Sequence, residues 1–261
     1  MQSGVGGGRM SGSYRADVER ASSMVHWFPR IADLRVPRTV FVAIPVRASA
    51  TWREGGVPEW YVEHVASAAG FTKYPLFMRT EYASGKHRWK DSCYVPDRES
   101  LSRHIITVLE ENERKGVAAT LYEWLVLREY IPMETIFEAF GGRMPINHEH
   151  RYFIKDGLPQ CNHPYWPPAA FKREEVGHSQ GKLPVDWRER LLAISECTHA
   201  ENLDVLSTVA ARFEGWWSVD FSKSRSAEWY LIDMARAEIS FHWPSCPNAP
   251  AEMMEHYGAV E

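Results

Sequence analysis

The feature that most restricts the fold of this chain is a series of short apolar runs separated irregularly by amphipathic stretches. Runs of strand type occupy residues 40–46, 75–79, 92–95, 121–131, 135–140, 148–154, 158–162, 216–221 and 229–233. Apolar residues at helical spacing occupy residues 58–70, 98–115, 185–197 and 203–214. Because strands and helices do not alternate regularly, a doubly wound parallel sheet is not expected. The order predicts an α+β fold in which two lobes with mainly antiparallel sheets enclose a cleft.

The length and composition are those of an ordinary globular protein. The 261 residues allow one large domain or two small lobes, since a typical domain has roughly 150 residues. Apolar residues make up 44% of the chain and charged residues 25%, and the net charge is only −4. These values argue against intrinsic disorder and against broad attraction to nucleic acid or to anionic membranes. We expect a cytoplasmic protein, because the first thirteen residues lack the apolar segment of a signal peptide.

The cysteines are spread widely along the chain, at Cys93, Cys161, Cys197 and Cys246. None of them forms a CxxC pair, so their spacing indicates neither a zinc ribbon nor a redox motif. We therefore expect reduced thiols with structural roles.

A basic loop follows the strand predicted at 75–79. Arg79 ends that strand, and Ser84, Gly85 and Lys86 follow within a few residues. An arginine fork, small residues with accessible backbone N–H groups and a lysine charge are suited to binding phosphate. The loop lacks the GxxxxGK[ST] sequence of a Walker loop. An ordinary basic hairpin loop has the same composition and remains the alternative.

The long apolar run at 121–131 gains charge only near its end, at Arg128 and Glu129, before Pro132 stops the strand. A charged strand end beside an apolar wall is able to receive a heterocycle whose edge is read by backbone groups. A strand end that is simply solvated by water explains the same residues equally well.

Residues 148–154 present two different faces, because side chains two positions apart share one side of a strand. Glu149 and Arg151 share one face and predict a charged patch in the cleft, with a structural ion pair as the alternative. His148 and His150 share the other face. Two histidines on one face are a possible metal site, but no carboxylate or cysteine has matching spacing, so this is the weaker interpretation.

Two aspartates interrupt the apolar strands near the C-terminus. If residues 216–221 and 229–233 form a hairpin, Asp220 and Asp233 lie at nearly the same level on adjacent strands. Adjacent carboxylates repel each other unless a cation lies between them. A small set of oxygen ligands suits Mg²⁺ that is also bound by nucleotide phosphates. The pair therefore predicts a magnesium site.

Taken in this order, the blocks resemble the ATP-grasp superfamily of carboxylate-amine ligases. The strand ending at Arg79 and the loop at 84–86 are similar to the part of that family that covers the ATP phosphates. The run ending at Ile131 resembles the hinge strand against which adenine lies. The resemblance implies that ATP is bound by Arg79, Ser84, Gly85, Lys86, Arg128, Glu129, Tyr130, Ile131 and Glu149.

The same resemblance implies the cofactors and the reaction. Arg151 matches the family arginine that reaches the transferred phosphate, and Lys86 is the second catalytic cation. Asp220 and Asp233 match the two acidic magnesium ligands, so the implied cofactors are ATP and Mg²⁺. The implied reaction is an ADP-forming ligation. A small-molecule or peptide carboxylate is phosphorylated by ATP, and an amine or thiol then attacks the acyl phosphate.

The chain departs from the family pattern at two points. Ala235 stands two residues after Asp233, where the family has asparagine, and the first phosphate-binding lysine has no clear counterpart. These departures keep two alternatives open, a phosphotransferase and a nucleotide-binding module without turnover. The implied organisation is a flexible tail at 1–25, a part containing the small lobe at 26–120, and a lobe with the hinge strand and metal site at 121–261.

Overall fold

Two four-stranded antiparallel sheets form the framework of the protein in a computed structural model. The structure describes residues 12–45, 48–68, 70, 73–114, 122–171, 183–195, 200–243, 246, 248 and 249. Its helices are α1 Gly12–Ala21, α2 Met24–Trp27, α3 Ala48–Gly55, α4 Glu59–Ala68, α5 Leu101–Arg114, α6 Trp187–Ser195 and α7 Ala200–Ala210. Within these residues, no helix combines the length and apolarity that crossing a membrane requires.

The strands pair in antiparallel fashion, some with neighbours in sequence and others, such as β1 with β4 and β7 with β9, with distant partners. They are β1 Thr39–Ala43, β2 Leu76–Thr80, β3 Tyr94–Val95, β4 Trp124–Glu129, β5 Thr135–Ala139, β6 Met144–Asn147, β7 Glu149–Lys155, β8 Leu158–Pro164, β9 Trp216–Lys223 and β10 Trp229–Arg236. The first sheet has the order β1-β4-β2-β3, and the second has the order β10-β9-β7-β8. Strands β5 and β6 form a separate two-stranded sheet. The α+β class with antiparallel sheets is therefore confirmed.

The first sheet is covered by α4 and α5. Apolar residues recur along α5 at Leu101, Ile105, Val108 and Leu109, which places them on one face of the helix. That face packs with α4 against inward-facing residues of the strands, and all of these side chains belong to one buried cluster. Burial of this stripe is what holds the helix on the sheet, because an isolated helix of this length is marginal in water.

Strand β4 contributes to two cores because its side chains alternate between the faces of the sheet. Leu125 and Leu127 belong to the cluster formed with α4 and α5. Val126 belongs to a second cluster, which contains residues of α2, α7 and the second sheet. This strand therefore joins the two lobes through apolar packing as well as through its backbone.

The position of β4 changes the division expected from the sequence. A boundary at 120/121 would separate this strand from the sheet in which it lies between β1 and β2. A boundary at Tyr130, just after the strand, keeps the first sheet whole.

The expected flexible tail at 1–25 is wrong for residues 12–25, whereas residues 1–11 lie outside the described part. Residues 12–21 are helical, and Val18 and Met24 are buried. The Met24 N–H donates to the Glu81 backbone oxygen (3.0 Å), and the Trp27 ring packs in the second core. Burial of these apolar side chains stabilises the segment against the rest of the protein.

Strand β6 is not among the strands predicted from the sequence, and it contains Pro145, which has no N–H to donate. Its sheet has only two strands, so the missing N–H can point away from β5 without breaking a central ladder. The pairing with β5 brings Asn147 to the entrance of the charged strand β7.

A buried carboxylate fixes the start of β4. Glu81 is 2% exposed, and its side chain accepts the N–H groups of Glu123 (2.7 Å) and Trp124 (3.1 Å). Burial raises the pKa of this carboxyl, although the two backbone donors oppose the rise. Because its own backbone oxygen also binds Met24, Glu81 connects the N-terminal helices to the first sheet.

We expect Glu81→Ala to destabilise the protein by roughly 1–3 kcal/mol, because two partly buried N–H groups lose their acceptor. The measurement is the free energy of unfolding in urea. Glu54→Ala changes an exposed glutamate in α3 and is the matched control. Equal losses in the two variants would contradict a capping role for Glu81.

Candidate functional site

A cleft of about 520 Å³, part of which is open to solvent, lies between the two sheets. The first sheet contributes the ends of β2 and β4, and the second contributes β7 and β10. The lining residues are Pro37, Phe77, Arg79, Lys86, Trp89, Arg128, Glu129, Tyr130, Ile131, Met133, Asn147, Glu149, Ile232 and Asp233. Eight of the twelve predicted site residues are among them, whereas Ser84, Gly85, Arg151 and Asp220 are not.

One end of the cleft is apolar and largely aromatic. Trp89 lies 5.7 Å from Phe77 and 6.3 Å from Tyr130 between ring centroids. Ile131 and Met133 complete this wall. Aromatic and aliphatic walls of this kind suit a flat, weakly polar ring.

The other end of the cleft is charged, and its central contact joins the two sheets. Arg79 on β2 donates through Nη1 to Asp233 Oδ2 on β10 at 2.7 Å. The side chains are 6% and 26% exposed, so the pair is screened little by water. Burial works to raise the pKa of Asp233, but Arg79 and the more distant Lys86 outweigh it and lower this pKa.

A β-bulge brings Asp233 into this position. Leu231 pairs with Phe221, whereas the next pair is Asp233 with Asp220, so Ile232 is the extra residue. With regular pairing, Asp220 would lie opposite Ile232 instead. The two aspartates are therefore neighbours, as the sequence predicted, but only because of a bulge that the sequence pattern does not indicate.

Arg128 lines the cleft and has one buried donor without a hydrogen-bond partner among the described residues. Its Nε donates to Thr39 Oγ1 (3.1 Å), and its Nη1 donates to the backbone oxygen of Ile232. The side chain is buried, and Nη2 has no hydrogen-bond partner within the described residues. Burial and the nearby Arg79 lower the pKa of Arg128 to about 9. An anionic oxygen in the cleft would satisfy this donor.

Lys86 is the second lobe-to-lobe contact. Its Nζ lies 3.4 Å from Glu149 Oε2. Gly85 precedes it in the left-handed conformation (φ 63°), where an added Cβ would meet Ser92 Oγ at 3.2 Å. Ser84 and Gly85 therefore turn the chain and aim Lys86, and they do not form part of the cleft wall.

Burial and the neighbouring charges shift the pKa values of both Lys86 and Glu149. Burial opposes the Lys86 ammonium, but Glu149, Asp233 and Asp220 outweigh burial and raise the pKa of Lys86. Burial raises the pKa of Glu149 despite the nearby ammonium, and the Asp220 carboxylate adds to the rise.

Arg151 and Asp220 form a buried bidentate pair behind the cleft. Nε and Nη2 of Arg151 donate to the two Asp220 oxygens at 2.7 and 2.8 Å, and Nη1 donates to the Phe241 backbone oxygen at 3.1 Å. The Tyr165 ring lies 4.6 Å from the guanidinium and 4.8 Å from Lys86 Nζ. Every nitrogen of this guanidinium is engaged, so its direct task is to hold Asp220.

These two ion pairs correct one step of the sequence argument. Asp220 and Asp233 are neighbours on adjacent strands as expected, but each carboxylate has its own arginine. Their mutual repulsion is therefore already offset, and it supplies no independent reason for a cation between them.

The histidine pair on β7 is turned away from the cleft. His150 Nε2 lies 2.9 Å from the Ile194 backbone oxygen of α6, and His148 Nδ1 lies 3.6 Å from a Glu134 oxygen. Both rings pack near Trp229. These contacts give the pair a role in packing the second sheet against its helices.

Sequence reasoning missed three residues in and beside the cleft. Asn147 and Trp89 line the cleft, and Tyr165 lies between Lys86 and Arg151. Asn147 lies at the end of a strand that the sequence did not predict, and Trp89 follows a 3₁₀ turn. Neither residue belongs to a periodic apolar pattern that would have indicated it. The Tyr165-Trp166 pair after the Asp-Gly turn was the one available signal for Tyr165.

We expect Asp220→Asn to destabilise the protein by about 3 kcal/mol, since breaking a buried ion pair leaves the Arg151 charge uncompensated. Urea unfolding without added metal measures this loss. Asp33→Asn, which changes an exposed carboxylate paired with Arg212, is the control and should cost much less. A variant as stable as the wild type would show that repulsion from Asp233 dominates instead.

The lowered pKa of Asp233 predicts a pH dependence with a definite sign. A carboxyl whose folded pKa lies below its unfolded value stabilises the fold above the unfolded pKa. That contribution disappears as the pH falls through the folded pKa. The difference in unfolding free energy between wild type and Asp233→Asn should therefore shrink as the pH falls below the ordinary value of 3.8. A difference that is constant with pH would contradict the Arg79 pairing.

Comparison with known proteins shows the fold. The chain is similar to Cdc123 from Schizosaccharomyces pombe, with 13% identity, a TM-score of 0.51 and coverage of 85% of each chain. No protein-family model and no curated protein sequence matches the chain.

Two further structures are similar at lower scores. The RimK domain protein ATP-grasp from Sphaerobacter thermophilus is 10% identical, with a TM-score of 0.40 and coverage of 86% of this chain and 61% of that one. D-alanine–D-alanine ligase from Bacillus anthracis, complexed with ATP, is 10% identical, with a TM-score of 0.42 and coverage of 86% and 60%. The chain spans about three fifths of these two proteins, and we draw no functional conclusion from them. At this level of identity the likeness to Cdc123 concerns the fold alone.

Proposed function

We propose that the chain binds Mg²⁺ and ATP in the cleft and uses ATP to join a carboxylate to an amine, releasing ADP and phosphate. The observation that carries this proposal is Nη2 of Arg128, which has no hydrogen-bond partner among the described residues and belongs to a cleft that Arg79, Lys86 and aromatic side chains also line. A nucleotide matches these two ends, since its flat base suits the aromatic slot and its anionic phosphates suit the cations. The fold, which the sequence resemblance links to such ligases, is consistent with this use of the cleft.

The charges around the cleft balance before any ligand binds. The cations are Arg79, Lys86, Arg128 and Arg151, and the carboxylates are Glu129, Glu149, Asp220 and Asp233. A phosphate oxygen can replace Asp233 as the partner of Arg79, while Mg²⁺ replaces Arg79 as the partner of Asp233. Such an exchange leaves each buried charge compensated, whereas ATP alone would leave a carboxylate unpaired.

The Asp233 oxygens can accept a magnesium ion in such an exchange. Asp233 Oδ2 accepts from Arg79, and its Oδ1 accepts the N–H of Met234 at 3.0 Å. Each oxygen keeps a lone pair, since a carboxylate has about four acceptor positions. Asp233 would hold the ion from the cleft side, with Asp220 behind it. The bound ion would neutralise charge on the transferring phosphoryl group.

The adenine ring would lie against Tyr130 and Ile131 in the apolar slot, with Glu129 at its edge. The Glu129 carboxylate already accepts the Arg38 backbone N–H at 2.8 Å, which fixes its orientation. Its second oxygen is a suitable acceptor for an exocyclic amino group.

The chain's own residues then need only to position groups and to stabilise charge. A carboxylate oxygen of the substrate forms a bond to the terminal phosphorus of ATP as the bond to ADP breaks. The amine nitrogen next attacks the acyl carbon, and phosphate leaves. Arg79, Lys86 and the free donor of Arg128 would stabilise the phosphoryl charge, and Arg151 would hold Asp220 in place.

Nucleotide binding without turnover is the second candidate. The bidentate Arg151–Asp220 pair favours it, because both oxygens of one proposed metal ligand are already engaged. A phosphotransferase would use the same cleft and would leave a phosphorylated product. Product analysis separates all three.

We expect calorimetry to show binding of ATP with Mg²⁺, and weaker binding of ATP in the presence of EDTA. Lys86→Ala should reduce the affinity about ten- to a hundredfold, as expected for the loss of charge-assisted hydrogen bonds. Lys155→Ala removes an exposed lysine at the end of β7 and should leave the affinity unchanged. Absence of binding by folded protein at millimolar ATP would end the proposal.

Turnover is tested by ADP release in the presence of mixed amino acids and peptides, followed by mass analysis of the products. The ligase proposal predicts ADP together with an amide whose mass equals the sum of two substrates less one water. Phosphorylated product without amide would identify a phosphotransferase. ATP binding without ADP release under any substrate mixture would favour the binding module.

A further inference from the structure

A cluster of two thiols and one imidazole lies beside the second sheet, away from the cleft. It consists of Cys161 on β8 and of His242 and Cys246 from the segment after β10. One ligand atom of each residue lies within 4.8 Å of the other two. We propose that this thiol–histidine cluster binds Zn²⁺. The proposal does not depend on the function assigned to the cleft.

The distances suit a zinc ion with small adjustments. In a tetrahedral site with bonds of about 2.3 Å to sulfur and 2.0 Å to nitrogen, neighbouring ligand atoms are roughly 3.5–3.8 Å apart. Cys161 Sγ and His242 Nε2 are 3.3 Å apart, which without metal is an S–H···N contact. Replacing the thiol proton by the ion keeps both groups in place.

His242 is oriented as metal-binding histidines are. Its Nδ1 lies 3.3 Å from the Trp243 backbone oxygen, which favours the tautomer with the proton on Nδ1 and the lone pair of Nε2 on the side of Cys161. The ring is fully buried and packs on Phe153 with centroids 4.1 Å apart. The imidazole is therefore held in one orientation before a metal arrives.

The choice of ligands selects the ion. Two thiolates and an imidazole favour zinc over magnesium or calcium, which prefer oxygen ligands. The two cysteines are only partly buried, so solvent can deliver the ion and water can occupy the fourth position. His242 and Cys246 have the short local spacing of zinc ligands, while Cys161 lies 81 residues from His242 and closes the site.

Zinc at this position would anchor the segment that crosses the second sheet. Phe241, which precedes His242, supplies the backbone oxygen that binds Arg151. The Trp243 N–H donates to His163 Nε2 on β8 at 3.3 Å. The ion would add a third attachment of the same segment to the same strands, and so would hold the carbonyl that orients Arg151.

The test uses the full chain, purified with a phosphine reductant. We expect one equivalent of Zn²⁺ by elemental analysis after dialysis, and a thiolate-to-metal charge-transfer band when Co²⁺ alone is added to the EDTA-treated protein. Zn²⁺ should also raise the melting temperature, because it binds the folded state. The cobalt spectrum of the wild type decides the question even if a variant fails to fold.

Cys161→Ser and Cys246→Ser should each lower zinc affinity at least tenfold and weaken the cobalt band. Cys93→Ser alters a buried cysteine of the first lobe and is the matched control, with zinc content unchanged. Fully reduced wild type that retains no zinc and shows no cobalt band would overturn the proposal. A Cys161–Cys246 disulfide that persists in reductant, shown by thiol counting, would overturn it as well.

Discussion

The ion pair between Arg79 and Asp233 connects the two sheets, and the geometry of the cleft depends on it. Arg79 lies on the first sheet and Asp233 on the second, and in their contact of 2.7 Å the arginine is buried and the aspartate partly buried. Arg128 adds a parallel link from the first sheet to the Ile232 backbone oxygen. Both contacts reach the one bulge of β10. Because the guanidinium groups of Arg79 and Arg128 both bind the bulge, its position sets the distance between the lobes at this point.

So much buried charge is an inefficient way to stabilise a fold. Well-packed apolar residues of similar volume are often as stabilising as a buried ion pair, or more so. The apolar contacts between the lobes are already provided by Val126 and the cluster around it. Buried charged groups that stabilise the fold less than apolar side chains would, and that cluster at one end of an aromatic slot, are typical of a binding site.

The sequence predicts the regular elements of this protein well and the contacts between them less well. Helix α5 and strands β7, β9 and β10 follow from apolar periodicity, which is a local property. The partners of Asp220 and Asp233 come from β7 and from the other sheet, so they depend on packing that no local pattern encodes. The same limit explains Asn147, whose strand contains a proline that is accommodated because β6 pairs with only one neighbour.

Because the ion pairs at the charged end of the cleft connect the two lobes, a ligand that binds there also affects the contacts between the lobes. Arg79–Asp233 and Lys86–Glu149 both run from the first lobe to the second. An anion that takes Arg79 or Lys86 from its carboxylate removes a direct link and replaces it by one through the ligand. The charged links between the lobes are restored only if the carboxylates gain a partner in turn, which a divalent cation on the same anion supplies. Binding of the anion and of the cation are thus linked by the charge balance of the protein itself.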